Sequence, residues 1–156
     1  MSIKTQRLFS VTIFGYRKPG MDEDFYHDYV SQTHANHLRD LLIKNKIVSY
    51  HMVGLITPNS DRLQIRKWAK FLKQHNSTKG RSLLNELFPS IPASKVDDSD
   101  CVVQIVFRDV EDYVKVKNDE HYKSVVNPDH DVFSDPARTK FVTGWFEFHV
   151  TDGKAV

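Results

Sequence analysis

RLFSVTIFGY, residues Arg7 to Tyr16, is the stretch from which the fold is read. β-Branched and aromatic side chains dominate it, and Arg17-Lys18-Pro19-Gly20 ends it with a turn signal, so it reads as a strand. Asp22 then stands where a helix N-cap would, and Glu23 and Asp24 put negative charge in the first turn, where the helix dipole favours it. Tyr26, Val30, His34, His37, Leu38 and Leu41 recur at helical spacing through about Lys44. A strand followed closely by an amphipathic helix begins a β-α-β unit, and Ile47 to Ile56 (IVSYHMVGLI) supplies the next strand.

Outward from there, Arg62 to Gln74 reads as helical, and Arg81 to Phe88 as a short helix closed by Pro89. Ala93 to Asp100 is a polar loop. Cys101 to Phe107 (CVVQIVF) is apolar on both parities, the pattern of a central strand. Val110–Lys117 and Tyr122–Val126 read as short helices, and Lys140–Val150 as the last strand. The order β-α-β-(α)-β-α-β predicts a ferredoxin-like α+β fold, a four-stranded antiparallel sheet with helices on one face. Four strands cannot close a barrel alone. The uncovered face, carrying aromatics such as Trp145 or Phe146, needs a second cover. A homodimer forming a dimeric α/β barrel is the simplest one.

Length and charge narrow the classes further. The 156 residues suit one domain, taken as residues 1–156. A net charge of +2 gives no reason to expect nucleic acid or a membrane as partner. The basic run Arg62, Arg66, Lys67, Lys70, Lys73 and Lys79 has a single tryptophan and reads as a solvated face rather than a base-stacking platform. With one cysteine, Cys101, there is neither an internal disulfide nor a multi-cysteine zinc site, and its apolar neighbours mark a buried strand thiol. The first ten residues hold no signal-peptide core and no window is long enough to span a bilayer, so a soluble, cytoplasmic protein is expected.

Several ordered blocks carry a family resemblance. Tyr16-Arg17-Lys18-Pro19-Gly20-Met21, Phe25-Tyr26 to His34-Ala35, and Ile47-Val48-Ser49-Tyr50 resemble the fungal EthD-domain proteins. So do Asp100–Lys117, Pro128-Asp129-His130, Phe133 with Asp135, Arg138-Thr139 and Gly144-Trp145. The resemblance implies the dimeric barrel. It also implies a cofactor-free, metal-free lyase acting on a small aromatic polyketide, since members are named dehydratases and one subgroup decarboxylates acids such as atrochrysone carboxylic acid. A dehydratase or cyclase, an anthrone oxygenase of similar fold, and a non-catalytic module that binds a small aromatic ligand are the alternatives. In the family the strand after Ser49-Tyr50 runs within a few residues into a His-Asn-Thr-like block. Here the corresponding block is His75-Asn76-Ser77-Thr78, and Gly54 to Gln74 stands before it. Residues 54–74 therefore read as an insertion, for which translation of an unspliced intron is one origin. It would displace His75 from the cleft mouth, where the family places it for substrate binding.

His34 is the leading candidate for chemistry. It lies on the apolar stripe of the first helix, and a neutral imidazole can exchange a proton at cellular pH; the bland alternative is a core histidine satisfied by a carbonyl. His37, one turn on, is a weaker candidate for the site against packing or helix-end hydrogen bonding. His34 and His37 find no Glu or Cys at ligand spacing, so no metal is expected. The resemblance places Pro128-Asp129-His130-Asp131 near the cleft and makes His130 the second proton-transfer candidate, while Asp129 or Asp131 could simply cap a helix. Arg138 reads either as an ion pair with Asp135 or as a clamp for a substrate carboxylate. Tyr16 and Tyr50 could hold a ketone or phenolate oxygen, or fill a cleft as apolar surface.

Overall fold

A computed structural model describes residues 7–53, 86–95 and 97–155. The stretch 54–74, His75, the basic run and most of the helix predicted over Arg81–Phe88 lie outside the described residues. Strand β1 (Leu8–Gly15) leads into helix α1 (Glu23–Asp28), a π-helical turn (Tyr29–His34) and helix α2 (Ala35–Lys44). Strands β2 (Ser49–Val53) and β3 (Cys101–Phe107) follow, then helix α3 (Val110–Asn118), a second π turn (Tyr122–Val126), helix α4 (Asn127–Phe133) and strand β4 (Lys140–Phe146). The sheet order is β2-β3-β1-β4, antiparallel throughout, which is the ferredoxin-like α+β arrangement.

The predicted first helix forms, but not as one α-helix. Asp22 caps it, its carboxylate accepting the Phe25 N–H at 2.9 Å, and the π turn then interrupts it. The segment around Pro128-Asp129, read as polar, is helical: α4 continues directly from the π turn Tyr122–Val126, and Pro128 sits just past that irregular turn, where the regular hydrogen-bond ladder is already broken. The last strand is shorter than predicted. It stops at Phe146, and Val150 instead begins a small hairpin, β5 (Val150–Thr151) with β6 (Lys154–Ala155).

The strand register sets the two faces. Phe9, Val11, Ile13 and Gly15 align with Phe107, Ile105, Val103 and Cys101, and this is the face the helices cover. Against it pack Tyr26, Val30 and Phe133 around Cys101, and Leu38, Leu41, Leu42, Val116, Tyr122 and Val126 around Tyr50. Full burial of each such side chain stabilises by about 1.5–3 kcal/mol, before cavity terms. Gly15 permits the closest approach, since a Cβ there would lie 2.9 Å from Cys101 Sγ and 3.2 Å from the Tyr26 hydroxyl oxygen. Trp145 pairs with Phe9 and so belongs to the helix-bearing face; Phe146 alone of the two points to the other side. That distinction matters because the helices do not reach β4. Phe141 is 65% and Trp145 63% exposed, and Val11 and Ile13 are half-buried, leaving an open apolar strip beside the helices. On the opposite face, Val142 and Val53 are exposed as well.

Candidate active site

The helix layer brings two predicted site residues, His34 and His130, together and adds Asp129, Tyr29 and Phe133, none of which was predicted to act there. His34 ends the first π turn and Asp129 lies in the first turn of α4; His34 Nδ1 is 2.7 Å from Asp129 Oδ2. The second carboxylate oxygen, Oδ1, accepts the Tyr29 hydroxyl at 2.5 Å. The His34 and Asp129 side chains are only 6% and 9% exposed, so no bulk water competes for these bonds. The Asp129 carboxyl does not act as a cap; its oxygens turn inward, and neither it nor Asp131 supplies a side-chain cap to α4. Phe133 closes the group, its ring centroid 4.7 Å from that of His34. The ring of His130 stands edge-on to His34 at 4.6 Å, half-buried, with its Nδ1 3.2 Å from the Asn127 carbonyl oxygen.

Protonation states follow from these contacts. Burial pushes the Asp129 carboxyl up, but the hydrogen bonds from Tyr29 and His34 outweigh it and hold the group below its ordinary value. Asp129 is therefore an anion, and an anion only accepts. Nδ1 of His34 must donate, which leaves Nε2 as the nitrogen that Asp129 does not engage. Burial lowers the His34 pKa; Asp129 pulls it back up, while the neighbouring His130 and His37 lower it further, and the result lies below 6.5. The Tyr29 phenol, bound to the carboxylate and partly desolvated, is pushed up to about 12 and stays protonated. The arrangement is a neutral imidazole with a fixed tautomer, able to take and return one proton.

The remaining candidates sit elsewhere or play lesser parts. His37 is half-buried one turn beyond His34, and its backbone carbonyl accepts the Nε2 side of His121 at 2.9 Å. Tyr50 lies on the helix-bearing face of β2, with its hydroxyl 3.8 Å from Met52 Sδ and its pKa raised chiefly by burial. Tyr16 and Arg138 form a separate group. The Tyr16 hydroxyl donates to Asp98 Oδ1 at 3.1 Å, Arg138 Nη2 donates to Asp98 Oδ2 at 2.7 Å, and the guanidinium lies 4.1 Å above the Tyr16 ring. The expected Arg138–Asp135 pair is thus replaced by Arg138–Asp98. Asp135 holds the turn instead, accepting the Ala137 N–H at 3.1 Å. Arg138 and Asp98 are half or more exposed, so their pairing contributes at most about 1 kcal/mol. Among the described residues no helix is long and apolar enough to cross a membrane.

Comparison with known proteins agrees with this frame. The family described as EthD domain matches residues 18–137. A Metarhizium robertsii protein named conidial pigment biosynthesis dehydratase EthD is 35% identical over 156 residues, covering 100% of this chain and 94% of the relative. A protein of Claviceps purpurea named decarboxylase is 33% identical, covering 99% and 94%. A decarboxylase of Aspergillus novofumigatus is 38% identical over 146 residues, covering 94% and 82%. The crystal structure of an ethyl tert-butyl ether d (ethd) family protein from Bacillus halodurans superposes with a TM-score of 0.50 over 88% of this chain and 96% of that one. At 9% identity that likeness speaks for the fold alone.

Proposed function

This chain belongs to the EthD domain family, and from that premise we propose that it is a lyase acting on an aromatic polyketide intermediate, by decarboxylation of an acid of the atrochrysone carboxylic type. The observation that carries the proposal is the His34–Asp129–Tyr29 chain, a proton-transfer group of fixed tautomer in a nearly dry setting. The open strip with Phe141 and Trp145 is the surface on which a flat polycyclic ring would stack.

The reaction needs little beyond proton transfer. A β-keto acid and neutral His34 share one proton, written either on the carboxyl or on the imidazole. Carbon dioxide leaves, the C–C bonding pair passes to the neighbouring carbonyl as an enolate, and His34 returns the proton to carbon. One acid gives one carbon dioxide and one new C–H bond, and the substrate's own carbonyl holds the electrons in between. His130, whose ring stands edge-on to His34, or Tyr50 would contact the developing oxyanion. A carboxylate contact from Arg138 would require it to release Asp98. A homodimer joined through the face that bears Val142 and Val53 completes the reading.

Dehydration is the second reading, and the lowered pKa of His34 favours it, because a neutral imidazole at cellular pH suits abstraction of a proton next to a ketone. One assay separates the two. Purified protein is given an anthraquinone-type β-keto acid while carbon dioxide and the dehydrated product are both followed. His34→Ala should cut turnover by roughly 10²–10⁴-fold with ligand affinity retained. Decarboxylation of an ionised acid requires a proton that neither free partner holds above the His34 pKa, so kcat/KM should fall as pH rises past that value. Abstraction by neutral His34 gives the opposite limb, rising through that value to a plateau. Tight binding with neither product would leave a binding module and end the enzyme reading.

A further inference from the structure

The geometry points to Tyr29 as a positioning residue for His34, acting through Asp129, and to the π turn Tyr29–His34 as the device that brings both onto one carboxylate. The two residues are five apart. In an α-helix such residues project about 140° apart around the axis and cannot share a partner on one side. A π turn, whose hydrogen bonds run from residue i+5 back to i, realigns them. The outcome is seen in the side chains: the Tyr29 hydroxyl holds one Asp129 oxygen and His34 Nδ1 holds the other.

This has an electrostatic consequence. The anion of Asp129 is shared between two donors, so His34 receives only part of its pull. Removing the phenolic hydroxyl concentrates the carboxylate on His34 and stabilises the imidazolium. The other charged or titratable groups acting on His34 are His130 from α4 and His37 from its own helix, and neither is altered by a change at Tyr29. The ring contacts of Tyr29 with Phe25 and Phe133, at 6.0 and 5.8 Å, are ones a phenylalanine would keep.

The inference rests on the proposed lyase for its catalytic meaning, but its test needs no substrate. In Tyr29→Phe, the His34 imidazole is titrated by NMR in the resting protein. The expected result is an upward shift of roughly half a unit or more in a variant that still unfolds cooperatively. An unshifted titration in a folded variant overturns the inference, whatever the enzyme assay shows. Failure to find turnover with the His34 shift present would instead sink the lyase reading alone. If Tyr29→Phe does not fold, the unaltered protein decides. Strongly downfield proton resonances for the Tyr29 hydroxyl and His34 Nδ1–H support the shared carboxylate, and their absence at low temperature overturns it.

Discussion

Replacing Asp129 with asparagine keeps the shape of the side chain and removes its charge, and Tyr29 biases how the new amide sits. The Tyr29 hydroxyl, 2.5 Å from Oδ1, keeps its bond as a donor only if the amide oxygen takes that position, and this favours that orientation. The amide nitrogen then occupies the Oδ2 position, 2.7 Å from His34 Nδ1, and donates to it. Nδ1 must now accept, and the ring proton moves to Nε2, the nitrogen needed to take a proton from substrate. At 6% and 9% exposure, the pair has no water to restore the original tautomer. Asp129→Asn should therefore forfeit the acid–base contribution, roughly 10²–10⁴-fold in kcat, or about 3–5 kcal/mol of barrier. KM should stay close to that of the unaltered protein. Single-turnover product formation measures the loss, and ¹⁵N shifts of the His34 ring report which nitrogen carries the proton. Adding Tyr29→Phe frees the amide to turn over, so the double variant should recover part of the activity. A kcat within about threefold of the unaltered protein, or a double variant no better than Asp129→Asn, would refute the reasoning, since the tautomer is worth the full acid–base factor only if it is locked.

Two further outcomes test the frame around the site. Gly15→Ala places a methyl against Cys101 Sγ and the Tyr26 hydroxyl, both buried, and should destabilise by about 1–3 kcal/mol in urea titration; an unchanged midpoint would show the approach to be looser than it stands. Val142→Asp, on the face without helices and 56% exposed, should alter the fold of a lone subunit by no more than about 0.5 kcal/mol while dissociating the proposed homodimer in sedimentation. A dimer that survives the charge would place its interface elsewhere.

The strand and helix order could be read from local pattern because each element buries one face, and burial writes itself into spacing. Alternation named the aromatics of the last strand but not which one faced the helices; only the pairing of Phe9 with Trp145 decides that. Asp129 was open to misreading for a different reason. A carboxylate beside a proline at a helix start is a local capping signal, whereas its true partner, His34, is 95 residues away and adjacent only through the packing of two helices. Arg138 chose Asp98 over Asp135 in the same way, across 40 residues rather than three.

The π turn, by contrast, did leave a trace in the sequence. Tyr26, Val30, His34 and Leu38 are buried at steps of four, not the 3.6 of an α-helix. A straight helix would carry Leu38 about 120° out of line with Tyr26 and could not bury both against one sheet. The chain must therefore gain a residue somewhere between them, and it does so between Tyr29 and His34. The same steps recur in the second helical segment at Tyr122, Val126 and His130, where another π turn absorbs them. Two helices that each slip phase set His34 and His130 edge-on at 4.6 Å, with Asp129 bonded to His34. A stripe that keeps to steps of four is thus a stronger pointer to chemistry here than the histidines themselves, because a purely structural helix has no cause to give up its regular hydrogen bonds.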